Sequence, residues 1–483
     1  MSAALIWIAL PILWGLLALL FRRMGALLFL LSAGLSLLLT WIAWQIPIDQ
    51  ALTLGSSTLK ISPTLSILGR SFTLLDSDRP LIALVFLANT LWLLGGQFSR
   101  PGPLFIPVSQ ISIGLFVAAL SVDPFLYAAI LIATIVLISV PMLAQPGEAL
   151  HAGLLRYLNF QLFAVPFILV VGWLLSGVEA SPGNSQLVLR AGTLLALGFA
   201  FLLAIFPLHS WIPMLAERNH PYAVGFIFFF LPFAATMLAL GFFERFAWLR
   251  DVEGLPAALL LFGGIVVALG GIWAAIQNHL GRQLAYVLVA ESGLSLAALG
   301  LSSDVGLSSL IALIIARLFA LLVWVMALSG LREASGGALA FSEVSRVVRR
   351  HPMLTLGLLL ALLSFVGLPL GAAFAPRLTI LQLVWQALPL AAGFILLGQL
   401  ALLVALVRLL FALAVPAFSR AFRPSDRSLL GRVQDPLIPD TENPYAWAYL
   451  LIGGGLLLLL ALFPQLLFGD LSSFAALFPQ LAP

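Results

Sequence analysis

The chain contains no cysteine in its 483 residues. Disulfides, thiolate metal sites, dithiol redox chemistry and cysteine-held iron–sulfur clusters are therefore excluded. Charge is scarce too. Charged residues make up 9% of the chain, where soluble globular proteins carry about a quarter. Lysine is nearly missing: Lys60 is the only one, so almost every cation is an arginine. The net charge of +4 comes from arginines scattered at loop positions and forms no dense basic face, so nucleic acid is not an expected partner. Walker loops, dinucleotide fingerprints and nucleophile elbows are absent. The five histidines lack metal-ligand spacing, so no metal and no cofactor is expected on this chain.

Apolar residues take up the room that charge leaves, at 62% of the chain with a mean hydropathy of +1.14. Runs long enough to span a bilayer, at about twenty residues each, recur along the sequence. They fall near 3–20, 25–45, 80–97, 103–121, 124–144, 153–176, 189–207, 222–243, 255–277, 282–301, 305–329, 353–374, 378–415 and 446–466. These runs are continuous and do not alternate, which excludes barrel strands. The fold class expected is an all-α polytopic membrane protein with about fourteen transmembrane helices. The first run passes directly into a second, so no cleavable leader is expected.

Two of the runs are interrupted. The stretch 202–222, LLAIFPLHSWIPMLAERNHPY, brings Pro207, Pro213, two histidines and a Glu217-Arg218 pair into an apolar chain. Proline lacks the amide hydrogen and clashes with the preceding turn, so a helix from about Val188 should end or kink at Pro207. Pro389 lies inside the run 378–415, which is too long for one crossing, and marks a second break. Paired breaks in two halves suggest an inverted repeat, with function at the repeat interface. The expected organisation is an N-terminal part (1–121) with an external hairpin at 46–79, then two halves, 122–277 and 278–417, each with a broken helix. A cytoplasmic interfacial segment and a final span (418–483) complete it. Arginines favour one side by about two to one, which puts that side in the cytoplasm and both termini outside.

Four stretches carry a family likeness. FPLHSWIP (206–213) resembles a Pro-x-His-x-Trp-Leu-Pro signature, and GRQLAYVLVAESG (281–293) a Lys-Arg-x-x-Ala-Tyr-Ser-x-x-x-His-x-Gly pattern. GLPLGAAFAPR (367–377) is similar to Gly-Leu-Pro-Pro-x-x-Gly-Phe-x-x-Lys, and LGRSFTLLDSDRP (68–80) to a Leu-Gly-x-x-Phe-x-x-Asp lead into a helix. In their order along the chain, all four resemble motifs of the antiporter-like membrane subunits of respiratory complex I (NADH:quinone oxidoreductase), membrane-bound hydrogenases and multi-subunit sodium/proton antiporters. The resemblance implies a subunit among other membrane subunits, including other antiporter-like ones, in lipid of a prokaryotic-type inner membrane. Electron-transfer cofactors would be held elsewhere in the complex.

The departures from that pattern concern ion conduction. The family's fifth-helix glutamate, seventh- and eighth-helix lysines and eleventh-helix titratable pair align here with Ala133, Leu202, the vicinity of Pro232, and Ala316 with Ala320. Glu291 stands where the family has a histidine, and Arg317 lies in the next helix at similar depth. A charge at the bilayer centre costs on the order of 3 kcal/mol, so each is expected to partner the other. Together they are either a residual relay or coupling element, or a salt bridge holding two helices in register. Arginine keeps its proton, so Arg317 cannot hand one on.

Arg377, at the family's lysine position, reads as an interface anchor near the outer surface, and Arg156 as a headgroup anchor. Arg408 either snorkels or pairs with a neighbouring subunit. His209 suits proton exchange at a channel mouth or the capping of a broken helix. His220, Glu217 and His279 read as loop residues, and the glycine pairs 263–264 and 270–271 as close helix packing. The leading expectation is a membrane-arm subunit with a degenerate channel and a structural or coupling role. The alternatives are a subunit that translocates protons or sodium through Glu291 and water, and a scaffold of an unrelated membrane complex.

Overall fold

The computed structural model describes residues 2–54, 57–67, 69–144, 149–180, 185–252, 254–414, 444–468, 474 and 477–481. The interfacial segment expected at 418–443 lies outside the described residues. The helices are α1 (Leu10–Leu20), α2 (Ala26–Gln45), α3 (Arg79–Ser99), α4 (Phe105–Ser121), α5 (Ala128–Leu143), α6 (Ala152–Ala180) and α7 (Ser185–Leu202). They continue with α8 (Trp211–Arg218), α9 (Pro221–Arg245), α10 (Ala247–Arg250), α11 (Leu255–Ile276), α12 (Leu280–Leu299) and α13 (Asp304–Ala334). The last are α14 (Phe341–Val347), α15 (Pro352–Val366), α16 (Phe374–Ala387), α17 (Pro389–Ala414), α18 (Pro444–Leu462) and α19 (Gln465–Phe468). Among the described residues, eight helices are both long and apolar enough to cross a membrane. The chain is an integral membrane protein.

Burial separates the helices into an inner and an outer set. The apolar stretches of α9 and α13 are 94% and 89% buried, whereas those of α2 and α6 are 33% buried. So α9 and α13 run through the centre, with α4 and α5 against α9 and α12, α15, α16 and α18 against α13. The outward faces stay apolar: Trp41, Trp44, Phe163, Trp173, Phe411 and Ile452 are all exposed. An apolar belt of this extent is suited to lipid or to neighbouring membrane helices, and not to water.

The glycine pairs of α11 each divide their work between two neighbours. A Cβ on Gly263 would lie 2.6 Å from the Ala297 amide nitrogen and one on Gly270 2.6 Å from that of Ala290, both on α12. Gly264 faces the other way, where a Cβ would come within 2.7 Å of the Ala391 carbonyl on α17, and Gly271 abuts Gly398 of the same helix. Small residues let these backbones touch, which is how helices associate without a hydrophobic driving force between them.

The first break differs from expectation. Helix α7 stops at Leu202, five residues before Pro207, and the chain is non-helical until α8 starts at Trp211. Ile205 N–H bonds to the Ala200 carbonyl at 2.9 Å and Ala204 N–H to the Phe201 carbonyl at 3.2 Å, with Ala204 at φ 50°. This is a Schellman ending, with alanine in the left-handed position where glycine is usual. The helix is thus terminated by its own backbone, and Pro207 lies beyond the stop. Pro213 sits in the first turn of α8, where an amide hydrogen would have no intrahelical acceptor. At the second interruption α16 ends at Ala387 and α17 begins at Pro389, with Leu388 extended at φ −152°, ψ 89°.

Among the described residues of 46–79, two antiparallel strand pairs occur where one hairpin was expected. Strands β1 (Ala51–Leu54) and β2 (Ser57–Lys60) pair antiparallel, and so do β3 (Thr64–Ile67) and β4 (Arg70–Thr73). Strand β5 (Val122–Asp123), from the end of α4, adds to β4. The hairpin region is thereby tied to the helix bundle by main-chain hydrogen bonds that no local pattern announces.

Candidate functional site: a buried carboxylate between two arginines

Helix α12 opens with His279, whose ring accepts from the Arg282 amide, and runs unbroken to Leu299. Helix α13 opens with Ser303, whose hydroxyl accepts from the Gly306 amide at 3.1 Å, with Asp304 in its first turn and Arg332 in its last. The end charges of α13 suit its helix dipole, and each of the two helices has a side-chain N-cap. Each carries one charge near mid-length on the face toward the other.

These charges meet. Arg317 Nε donates to Glu291 Oε2 at 3.1 Å, and Arg317 Nη2 donates to the main-chain carbonyl of Glu291 at 2.9 Å and to Ser295 Oγ at 2.8 Å. Ser295 is one turn beyond Glu291 on α12, so its hydroxyl lies on the same face. It is not among the candidates expected from the sequence, although its spacing of four from Glu291 was there to be read.

Arg377 does not lie at the outer surface. It is 3% exposed, and its Nη2 makes an ion pair with the other carboxylate oxygen of Glu291. The reason is the course of the chain through GLPLGAAFAPR. Gly367 ends α15 at φ 76°, a left-handed conformation that glycine adopts freely. The following turn carries the chain back into the protein, and Arg377 falls in the first turn of α16. Its stem fills the space a side chain at position 367 would need: a Cβ on Gly367 would sit 2.6 Å from Arg377 Cδ. The expected isolated Glu291–Arg317 pair is therefore a triad from α12, α13 and α16.

Glu291 is 1% exposed and Arg317 5% exposed. The triad holds two cations and one anion, leaving one positive charge in excess. Around it, Arg377 Nε and Ser364 Oγ are buried without a hydrogen-bond partner among the described residues. Both carboxylate oxygens face guanidinium groups. Among the described residues, Glu291, Arg317 and Arg377 are the fully buried acids and permanent cations. Helix α5 contributes none, with Ala133 buried in its place, and Leu202 is a buried apolar residue at the end of α7.

The other candidates lie elsewhere. His209, 8% exposed, sits in the non-helical stretch before α8, its ring 5.3 Å from that of Phe206 and 5.9 Å from that of Tyr286 on α12. Its Nδ1 is buried without a partner among the described residues, so this nitrogen does not cap the helix end. Arg408 is half-buried on α17; it reaches the Ala275 carbonyl at the end of α11 and donates to Asn278 Oδ1 at 2.8 Å. It closes a helix C-terminus within its own chain, as cations at such ends do. Arg156 is exposed, against Met214.

His220 and His279, read as loop residues, cap the N-termini of α9 and α12. Arg332 donates to the carbonyls of Asn219 and Arg218 at 2.6 and 3.2 Å, and Asn219 in turn meets His151 at 2.8 Å. The end of α8 is thereby bound to α13 and to the start of α6. Among the described residues, no group of three or more His, Asp or Glu side chains converges as a metal site would require.

Residues 174–403 match the family described as NADH:quinone oxidoreductase/Mrp antiporter, TM. Over those residues the chain is similar to that family. NADH-quinone oxidoreductase subunit 14 of Thermus thermophilus is 26% identical over 362 residues, covering 71% of this chain and 79% of that protein. NADH-quinone oxidoreductase subunit N 3 of Streptomyces griseus is 27% identical over 209 residues, and there the match spans 41% of this chain and 36% of the relative's length. The fold is also that of a chain in the Mrp complex of Dietzia sp., with a TM-score of 0.77 at 16% identity over 98% of this chain and 96% of the other.

Proposed function

We propose that the protein is an antiporter-like subunit in the membrane arm of a complex I-type assembly or a related redox-driven ion pump. Its own ion path is degenerate, and its work is to extend and seal the arm and to couple its neighbours mechanically. The observation that carries the reading is the clamping of Glu291 between Arg317 and Arg377. A relay group must be reachable by water and free to exchange its proton, and here both carboxylate oxygens are occupied by guanidinium groups in a buried site. Arginine at 377, the family's lysine position, also removes the exchangeable proton that a lysine would supply.

The fourteen-span count, the inverted repeat about the interruptions at 203–210 and Leu388, the domain limits drawn from the sequence, and both termini on the outer side of a prokaryotic inner membrane belong to the same proposal. Arg218, Arg282 and Arg332 gather at one end of the bundle, through the contacts of Arg332 with α8 and of Arg282 with Glu217. This clustering supports that end as the cytoplasmic one.

The test is purification of the full chain from its native membrane. Recovery with other antiporter-like chains and with iron–sulfur subunits that oxidise a soluble donor is expected. Recovery alone, or with membrane proteins that carry no electron-transfer chain, would overturn the assignment.

A further inference from the structure

A second polar feature lies far along the chain from the triad, where the start of α2, the end of α3 and the start of α4 come together. A cavity of about 460 Å³ opens there, its lining including Arg22, Arg100, Phe29, Phe98 and the residues 25–26 and 101–103. Among the described residues, no carboxylate lines it. Neither arginine forms an ion pair with a described residue, and both are exposed. The N-termini of α2 and α4, helices of 20 and 17 residues, both begin at this cavity, and neither has a side-chain cap. Gly25 at φ 53° and Gly102 at φ 111° lead the chain into these helices without side chains that would fill the space. Two guanidinium groups and two open helix N-termini around one cavity make an environment for a phosphate-type anion.

The surroundings select its source. Leu27, Leu30 and Leu31 of α2 continue from the cavity with 48%, 53% and 47% of their surface exposed, and Phe29 and Phe98 form part of its wall. A soluble anion has no use for this apolar track, whereas the acyl chains of a lipid do. Basic pockets between transmembrane helices at a membrane surface hold anionic headgroups in this way. We propose that the cavity is a binding site for the phosphodiester headgroup of an anionic glycerophospholipid, with its acyl chains along α2.

The test uses the full chain as purified, with the probe lipid phosphatidylglycerol. Native mass spectrometry after delipidation and reloading from vesicles of phosphatidylcholine with and without phosphatidylglycerol should show one phosphatidylglycerol retained in preference to phosphatidylcholine. Arg22→Gln with Arg100→Gln should weaken retention roughly thirtyfold, from the two arginine contributions together. Arg23→Gln, the neighbouring arginine that does not line the cavity, should leave it unchanged. Both altered positions are exposed, and circular dichroism checks that the variants stay helical.

Four results would overturn the proposal: no preference for phosphatidylglycerol in the unaltered protein, equal loss in the Arg23 variant, full displacement by millimolar inorganic phosphate, or a cavity closed to lipid because a neighbouring subunit's acidic side chain occupies it.

Discussion

Arg317 grips Glu291 at two points: its Nε reaches the side-chain oxygen at 3.1 Å and its Nη2 the main-chain carbonyl of the same residue at 2.9 Å. The second bond matters because an internal carbonyl of α12 is usually satisfied within its own helix. By taking it, Arg317 holds the backbone of α12 as well as its charge. With Ser295 filling a third direction, the guanidinium is fixed in position before Arg377 is considered.

The three triad residues should differ sharply in what their removal costs. Glu291→Gln leaves two buried cations without an anion, and a loss of about 3–5 kcal/mol is expected. Arg317→Met leaves a pair between Glu291 and Arg377 and keeps the Ser295 hydroxyl on the Glu291 carbonyl, but loses the guanidinium hydrogen bonds, an intermediate loss. Arg377→Met removes the excess charge and keeps most of the stem's packing, so a change within about 1 kcal/mol is expected. Unfolding in mild detergent by chemical denaturant would rank the three. A larger loss for Arg377→Met than for Glu291→Gln would contradict the charge balance described.

Gly367 is expected to be intolerant. Alanine there would hold a strained left-handed backbone and meet Arg377 Cδ, costing about 1–3 kcal/mol. Gly192, in the helical interior of α7 with open space around it, is the control. Gly192→Ala should be neutral or stabilising by up to about 1 kcal/mol. Thermal unfolding of both variants checks the contrast.

Much of this architecture is legible in the sequence, and what is not legible has physical causes. The apolar runs and mid-helix positions of Glu291 and Arg317 suffice to bring those two side chains together. Arg377 reads as a surface residue because Gly-Leu-Pro-Leu-Gly has the composition of a surface turn. Its re-entrant course depends on a left-handed residue and on space left by an absent side chain, neither of which is a pattern in the chain. The stop of α7 is hidden for a related reason. Proline is a visible breaker, while Ala204 in a glycine's conformation is not. The addition of residues 122–123 to β4 is a tertiary pairing with no local signal at all.

The close approach of α11 to its neighbours predicts a two-sided sensitivity. Gly270→Val should force α12 away and Gly264→Val should force α17 away, each costing about 1–3 kcal/mol by overpacking. Disulfide trapping between cysteines introduced on α11 and each partner would distinguish them. Gly270→Val should slow trapping to α12 only, and Gly264→Val trapping to α17 only. Equal slowing at both interfaces would contradict the division of faces.

His220 provides a pH dependence outside the spans. Burial, aided by the charge of Arg332, lowers its pKa to about 4 in the folded protein. Between pH 6.5 and about 4 the unfolded chain binds a proton there that the folded one refuses, so stability falls as pH falls through that window. His220→Asn keeps a good cap without the titration and should flatten this part of the profile. Denaturant midpoints of the two proteins from pH 7 to pH 4 give the comparison. Parallel profiles would show that His220 titrates as it does in water.

The central claim is that no ion depends on Glu291, and one ratio tests it most directly. The variant Glu291→Gln, Arg317→Met, Arg377→Met empties the triad of charge while avoiding a stranded buried ion. Once that variant is assembled into its native complex, translocated ions per electron would be measured in sealed vesicles against the unaltered assembly. The same ratio at comparable electron flux is the predicted result. A reduced ratio in a fully assembled complex would mean that Glu291 carries ions, and would contradict the claim.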